Sequence, residues 1–346
     1  MNRTSTPAQN NKITGASWMI SPKSALAVLV TTILAVSAAW AQERAMPPDI
    51  AAKLIEIGRV VDPSATAPLY APLQQKEPYQ GVRIERDVKY GPADRNQLDV
   101  FTPEAGSSFR PVLMHVDGGG FVGGNKHLPG SPFYDNVMLW AVKNGFVGVN
   151  VTYRLAPQAT WPAAAEDLAA AVQWVSQNIT ERGGDPVRVF LMGHSAGAVH
   201  VASYVSHPEF YKVKGGGLAG AIMLSGSYDL TATPAGDPEI AYFGADPARY
   251  AERSSLQGLL RSNTPLMIAA AELDPPDFVQ QFELFRDAAC KRPSGCITAG
   301  LLPQHSHMSE VYSINTDDTG LTSELFAFAE QAGKLAQRRS RRSLAQ

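Results

Sequence analysis

From Gly81 to Lys334 the chain alternates, with one interruption, between short apolar runs and longer stretches of helical spacing. Val82–Tyr90 and Gln97–Phe101 read as strands, Pro111–Val116 as a buried strand, Phe133–Lys143 as a helix, and Phe146–Tyr153, with its alternating valines, as a strand. Ala163–Ile179 is a long amphipathic helix, opened by Pro162 and stopped near Gly183-Gly184. Strands follow at Val187–Met192, Leu218–Leu224, Pro265–Ala271 and Ile297–Leu302, and helices at Ala196–Val205, Asp277–Ala289 and Leu321–Lys334. Alternation of this kind leads to an α/β fold with a mostly parallel central sheet covered by helices on both faces. In such sheets ligands bind in the loops at the carboxyl ends of the strands. Between Gly226 and Asn263 the pattern fails, and residues 227–262 read as an insertion forming part of a lid. The remaining organisation is a leader at 1–41, a Pro- and Ala-rich arm at 42–80 with one helical pattern at Asp49–Ile57, a single domain at 81–334, and a basic, disordered tail at 335–346. With 346 residues, 45% of them hydrophobic, the chain can build one large core.

The strand ending at Met192 runs into Gly193-His194-Ser195-Ala196-Gly197 and then into a helix. This is G-x-S-x-G in strand–turn–helix context, where small neighbours allow a sharp turn that exposes the serine hydroxyl above the sheet. The serine also lies at a helix N-terminus, where backbone N–H groups stabilise developing negative charge. Ser195 is therefore the candidate nucleophile.

Pro111–Val116 leads into Asp117-Gly118-Gly119-Gly120-Phe121-Val122-Gly123-Gly124. Three successive glycines let backbone amides approach a substrate oxygen without Cβ atoms in the way. A phosphate-binding loop does not fit, because no Gly-Lys-Ser/Thr follows and the spacing is not G-x-G-x-x-G. A serine nucleophile needs a base, and the base an orienting carboxylate, in the chain order Ser, Asp or Glu, His. Of seven histidines, only His305 and His307 follow Ser195 at a suitable distance, in the run Pro303-Gln304-His305-Ser306-His307-Met308-Ser309. The carboxylate should close the preceding strand, where Glu272-Leu273-Asp274-Pro275-Pro276-Asp277 stands.

These motifs resemble the hormone-sensitive-lipase-like branch of the α/β hydrolases, the fold-3 carboxylesterases. The resemblance spans roughly residues 82–333 and includes Tyr153-Arg154-Leu155-Ala156-Pro157, Trp161-Pro162-Ala163-Ala164-Ala165-Glu166-Asp167, Ser227-Tyr228-Asp229-Leu230 and Tyr242-Phe243-Gly244. It implies a carboxylesterase with His307 as base, because the family places that histidine before an apolar residue, and Asp274 as the acid of an Asp-Pro turn. His305 then becomes a loop or substrate-side residue, Glu272 a weaker rival for the acid, and Asp277 the cap of the following helix. The resemblance assigns the oxyanion donors to the amides of Gly119, Gly120 and Ala196, whereas on the residues alone Gly118 stays open. One position departs: Asp117 stands where the family has histidine, which affects loop geometry and pH dependence. Arg154, Glu166, Asp167 and Asp229 read as structural.

The implied reaction is hydrolysis of a short-chain carboxylic ester through an acyl-enzyme. Two other readings use the same machinery, an arylformamidase-like amide hydrolase and a feruloyl or acetyl-xylan esterase, and a non-catalytic binding protein is a third alternative. No metal-ligand set is visible beyond the His305/His307 pair, and no cofactor is expected.

Residues 24–41 carry no charge; Lys23 precedes the apolar run Ala25–Val36, and Ala39-Trp40-Ala41 follows it. Basic start, short apolar run and A-x-A describe a secretory signal peptide, with Met19 as a compact start, and imply a secreted or periplasmic protein with no stable membrane insertion after cleavage. In an oxidising compartment Cys290 and Cys296, separated by a Pro- and Gly-containing loop, are expected to form a disulfide. Residues 42–333 carry 22 basic against 32 acidic side chains, while 334–346 hold five basic residues and no acid. An acidic body argues against nucleic acid as a partner, and the resemblance implies a small-molecule ester substrate. No oligomeric state is implied.

Overall fold

The computed structural model describes residues 46–106 and 109–344. The expected leader, 1–41, lies outside them. Eight strands, β1 (Val82–Lys89), β2 (Gln97–Pro103), β3 (Arg110–Val116), β4 (Val147–Val151), β5 (Gly184–His194), β6 (Gly220–Leu224), β7 (Leu266–Leu273) and β8 (Thr298–Ser306), form one sheet in the order β1-β2-β4-β3-β5-β6-β7-β8. β2 runs antiparallel to β1 and β4, and every other pairing is parallel. All five residues of β4 and of β6 are buried, as strands covered on both faces require.

Side chains alternate along β5, and the two faces have different cores. Val189 and Leu191 point into a cluster with Leu168, Val172 and Val175 of one helix and Val199 and Val201 of the next. Phe190 points the other way, meeting Phe146 at 6.3 Å and Phe328 at 6.4 Å between ring centroids. The covering helices are α1 (Pro48–Ile57), α2 (Pro63–Tyr70), α3 (Asp135–Lys143), α4 (Ala163–Asn178), α5 (Ala196–Ser206), α6 (Asp237–Phe243), α7 (Tyr250–Arg253), α8 (Leu256–Arg261), α9 (Pro276–Cys290), α10 (Ser309–Tyr312) and α11 (Gly320–Leu344). α4 meets its expectation within one residue, because its alanines and apolar stripe agree with both propensity and burial.

The interrupted stretch forms the three short helices α6 to α8 between β6 and β7. The segment expected as an arm is more ordered than an arm. Asp62 accepts from the Ala65 amide at 2.9 Å and Pro63 opens α2, a paired start signal. Leu54 of α1 and Tyr70 of α2 are fully buried.

Two expectations are corrected. The basic tail is not disordered: α11 runs through residues 335–344. Its first half is anchored by buried Leu321, Leu325, Phe328 and Ala332, and extending an existing helix through Leu, Ala, Gln and Arg costs little. Asp277 does not cap the following helix, because Pro275 occupies the cap and Asp277 sits in the first turn of α9, where its charge still faces the positive end of the helix dipole.

Candidate active site

The register of the sheet decides which loops meet. Val116 of β3 pairs with Gly193 of β5, His194 with Leu224 of β6, and Leu273 of β7 with Ser306 of β8. The residues that follow, Asp117, Ser195, Ser225, Asp274 and His307, therefore emerge along one edge of the sheet.

Ser195 occupies a strained turn with φ 57° and ψ −125°. Two glycines make the turn possible. A Cβ on Gly193 would lie 2.4 Å from the Gly197 carbonyl oxygen, and one on Gly197 would lie 2.1 Å from that of Val116. From Val189 to His207 every residue is buried except Ser195. Ala196 begins α5, so its amide lies in the unpaired first turn of that helix.

Opposite the serine, Gly118 packs so closely that a Cβ there would sit 2.9 Å from Ser195 Cβ. Gly119 is exposed, with φ 123°, and Gly120 is half-buried, with φ 58°. Gly118 itself is buried. Phe121 holds the loop from behind, its ring stacked on Tyr242 at 5.2 Å and edge-on to Phe243 at 5.5 Å, while its carbonyl accepts from the Ala156 amide at 3.0 Å. The Tyr-Phe-Gly run is thus a structural support for the loop, and Pro238 of α6 stands 3.5 Å from where a Gly120 Cβ would be.

Asp117 is fully buried, and neither carboxylate oxygen has a hydrogen-bond partner among the described residues. Burial pushes it up to about 7, against the opposing pull of Arg95 and Lys126. The loop is braced instead by neighbours: Tyr153 Oη donates to the Asp117 carbonyl at 3.0 Å, and Arg95 donates to the carbonyls of Tyr153 at 2.7 Å and Gly124 at 2.9 Å.

His307 and Asp274 meet. Nδ1 of His307 lies 2.7 Å from Asp274 Oδ1, and both side chains are fully buried. Asp274 Oδ2 accepts from Ser225 Oγ at 2.5 Å and from the Ala271 amide at 2.8 Å. A carboxylate so satisfied is held in one orientation, and the Nδ1 contact fixes the imidazole tautomer with Nε2 free to accept a proton. No hydrogen bond joins Ser195 to His307: Nε2 of His307 is buried without a partner among the described residues. Bases of this type commonly tighten onto the nucleophile only when substrate is bound. Phe278 of α9 flanks the imidazole, with ring centroids 4.6 Å apart.

The rivals have other work. His305 is buried between Ser309 Oγ at 3.0 Å and Asp318 Oδ2 at 3.2 Å, so it is not a substrate-side residue. Glu272 is exposed and accepts from the Gln304 amide at 2.7 Å. Arg154 is bound to Asp167 at 2.8 Å, and Asp229 Oδ1 accepts from the amide and hydroxyl of Thr231.

Several supports carried no signal that singled them out in the sequence. Ser225, at φ 47°, is one. Arg59, just past α1, donates to the carbonyls of Glu272 at 2.9 Å and Asp274 at 3.0 Å, and Gln74 donates to those of Tyr312 and Ile314 at 2.9 Å each. Glu310, fully buried one turn after His307, is the fourth.

Among the described residues, two clusters have the composition of metal ligands. His194, His307 and Glu310 offer atoms within 4.8 Å of one another, as do Glu77, His127 and Asp135. In the second the Arg86 guanidinium already sits between the acids, 2.6 Å from both Glu77 and Asp135. The Sγ atoms of Cys290 and Cys296 are 2.21 Å apart, at the end of α9.

Residues 98–210 match the BD-FAE family model, and residues 159–334 match the model of the prolyl oligopeptidase family. Esterase LipQ of Mycobacterium tuberculosis is 37% identical over 120 residues, which cover 34% of this chain and 27% of that protein. The chain thus matches about a quarter of the length of that relative. Kynurenine formamidase of Salmo salar is 26% identical over 248 residues, covering 68% of this chain and 79% of that one. Among solved structures, esterase B of Lactobacillus rhamnosis superimposes with a TM-score of 0.62 at 16% identity, covering 94% of this chain and 98% of its own. The carboxylesterase EstE1, cloned from a metagenomic library, does so with 0.58 at 20% identity, covering 85% and 97%.

Proposed function

The chain belongs to the α/β-hydrolase carboxylesterase family, and on that premise we propose that it hydrolyses small carboxylic esters through an acyl-enzyme formed on Ser195. The observation that carries this reading is the 2.7 Å contact between His307 and Asp274, at the same sheet edge as a strained, half-exposed serine. Ser195 Oγ attacks the ester carbonyl as His307 Nε2 takes its proton. Asp274 keeps the imidazole in the Nδ1–H form and stabilises its cation without itself becoming protonated. The amides of Gly119, Gly120 and Ala196 bind the oxyanion, and His307 returns the proton to the departing alcohol. Water then attacks the acyl-enzyme by the same route and releases the acid. Pro238 over Gly120 and Phe278 beside His307 narrow the approach and favour short acyl chains.

Hydrolysis of p-nitrophenyl esters from acetate to decanoate tests the reading. Turnover peaking at the short chains is expected. Folded protein inactive on every ester, or Ser195→Ala as active as the parent, overturns it. A second reading is formamide hydrolysis, favoured by the length over which the salmon formamidase matches. N-Formylkynurenine assayed beside the esters separates the two by kcat/KM. Export is part of the same proposal: a signal peptide at 1–41, with Cys290 and Cys296 joined as a disulfide.

A further inference from the structure

Glu310 is a buried ionisable group at this edge that acyl transfer as described does not use. Both of its carboxyl oxygens are buried and make no hydrogen bond of ordinary geometry among the described residues. Oε1 lies 3.2 Å from Nε2 of His194, and that nitrogen lies 2.8 Å from the carbonyl oxygen of His307. A carbonyl only accepts, so the His194 proton is on Nε2. His194 immediately precedes the nucleophile, and its ring centroid is 4.8 Å from that of His307. One N–H of the serine turn thus donates to the backbone of the base and lies beside the Glu310 carboxyl.

We propose that Glu310 is a positioning residue for acyl transfer: acting through His194, it fixes the backbone of His307 relative to the turn that carries Ser195. The inference rests on the esterase reading above. The groups facing Glu310 are His194, His307, His305, Asp274 and Tyr228, together with the Ser225 hydroxyl. Burial holds the Glu310 carboxyl well above its ordinary range, and the neighbouring Asp274 pushes the same way, against His307, Ser225 and His305. Asp274 is satisfied by the Ser225, Ala271 and His307 hydrogen bonds, whereas the Glu310 oxygens have none among the described residues. Raised in this way, the Glu310 carboxyl favours its neutral form, with Oε1 3.2 Å from the His194 nitrogen that donates to the His307 carbonyl. Burial also lowers His194 to about 4, so its ring stays neutral where the enzyme works.

The test compares E310Q, E310L and H194F in the full chain. It reads kcat and KM on p-nitrophenyl acetate, and the low-field NMR signal of the proton between His307 and Asp274 in the resting protein. The amide of E310Q reproduces the neutral acid, so that variant should keep kcat within about threefold of the parent and leave the signal in place. E310L removes the polar oxygen beside the His194 N–H and should lower kcat about tenfold to a hundredfold with KM little changed, and shift or broaden the signal. H194F, which breaks the link from the other end, should do the same, and the double variant should lose no more than the worse single one. Loss in E310Q equal to that in E310L would show that charge matters and overturn the proposal. So would losses that add in the double variant. If E310L does not fold, H194F decides: an unchanged kcat and signal there overturn the proposal. The NMR signal requires no substrate, so a parent protein without ester turnover refutes the esterase reading separately.

Discussion

The middle of the sheet and its carboxyl edge are built by opposite rules. In the middle, β3 to β7 place Val112, Leu113, Val149, Phe190, Ile222 and Ile268 at zero or near-zero exposure, and local preference, pattern and burial agree. At the edge, non-glycine residues adopt positive φ just beyond β3, β5 and β6, at Phe121, Ser195 and Ser225. The same edge holds buried polar atoms without partners among the described residues, on Asp117, His194, His307 and Glu310. Strain and unsatisfied polarity of this kind each cost of the order of 1–3 kcal/mol, and they persist only because a rigid core over-determines them. The core supplies stability, and the edge uses part of it to hold groups ready for reaction.

The sharpest way to break this contrast is at Ser195. Ser195→Ala should lower kcat by about 10⁴–10⁶ while the thermal midpoint moves by no more than a few degrees. A large fall in stability instead would make the serine a structural residue. Phe190→Ala should behave in the opposite way. Denaturant titration should show a loss of about 3–5 kcal/mol, with kcat per folded molecule unchanged. If kcat falls with stability, edge and core are not separable.

Asp117 sharpens the comparison by pH. Its carboxyl is raised when folded, so the stability it contributes is complete below its ordinary range and is lost as pH rises towards about 7. Asp117→Asn removes that loss. Its thermal midpoint, relative to the parent, should therefore be more favourable at pH 8 than at pH 5, and equal differences at both would mean that Asp117 does not titrate in this range. Arg59→Ala is the smallest change. It frees two carbonyls of the acid turn and should lower kcat a few-fold with KM unchanged, as steady-state kinetics would show.

The same contrast explains what was legible in the sequence. Core strands such as Val147–Val151 stand out because apolar runs and β-branched residues carry their own signal. Ser195 stands out as a candidate through its strand–turn–helix motif, whereas His307 and Asp274 were singled out from neighbours such as His305 and Glu272 by the family resemblance. Ser225, Arg59 and the His194–Glu310 link were not. A serine after a strand or an arginine after a helix has no periodicity, and its role exists only once residues more than two hundred positions apart, such as Arg59 and Asp274, are brought together. The helical tail escaped for the converse reason. Charge suggested a solvated end, but a helix begun by Leu321 and Leu325 extends through any good helix former.

The place of β8 has a consequence for how the protein fails. This strand is paired on one side only, with β7, and it delivers the proposed base. Strands at the rim of a sheet open before the centre does. Activity should therefore vanish on warming while the bulk of the molecule is still folded, and return on cooling without refolding of the core. The usable temperature range is a property of the weakest rim, so a stabilising change on β8 or on α1 beside it would extend working life more than any improvement to the interior.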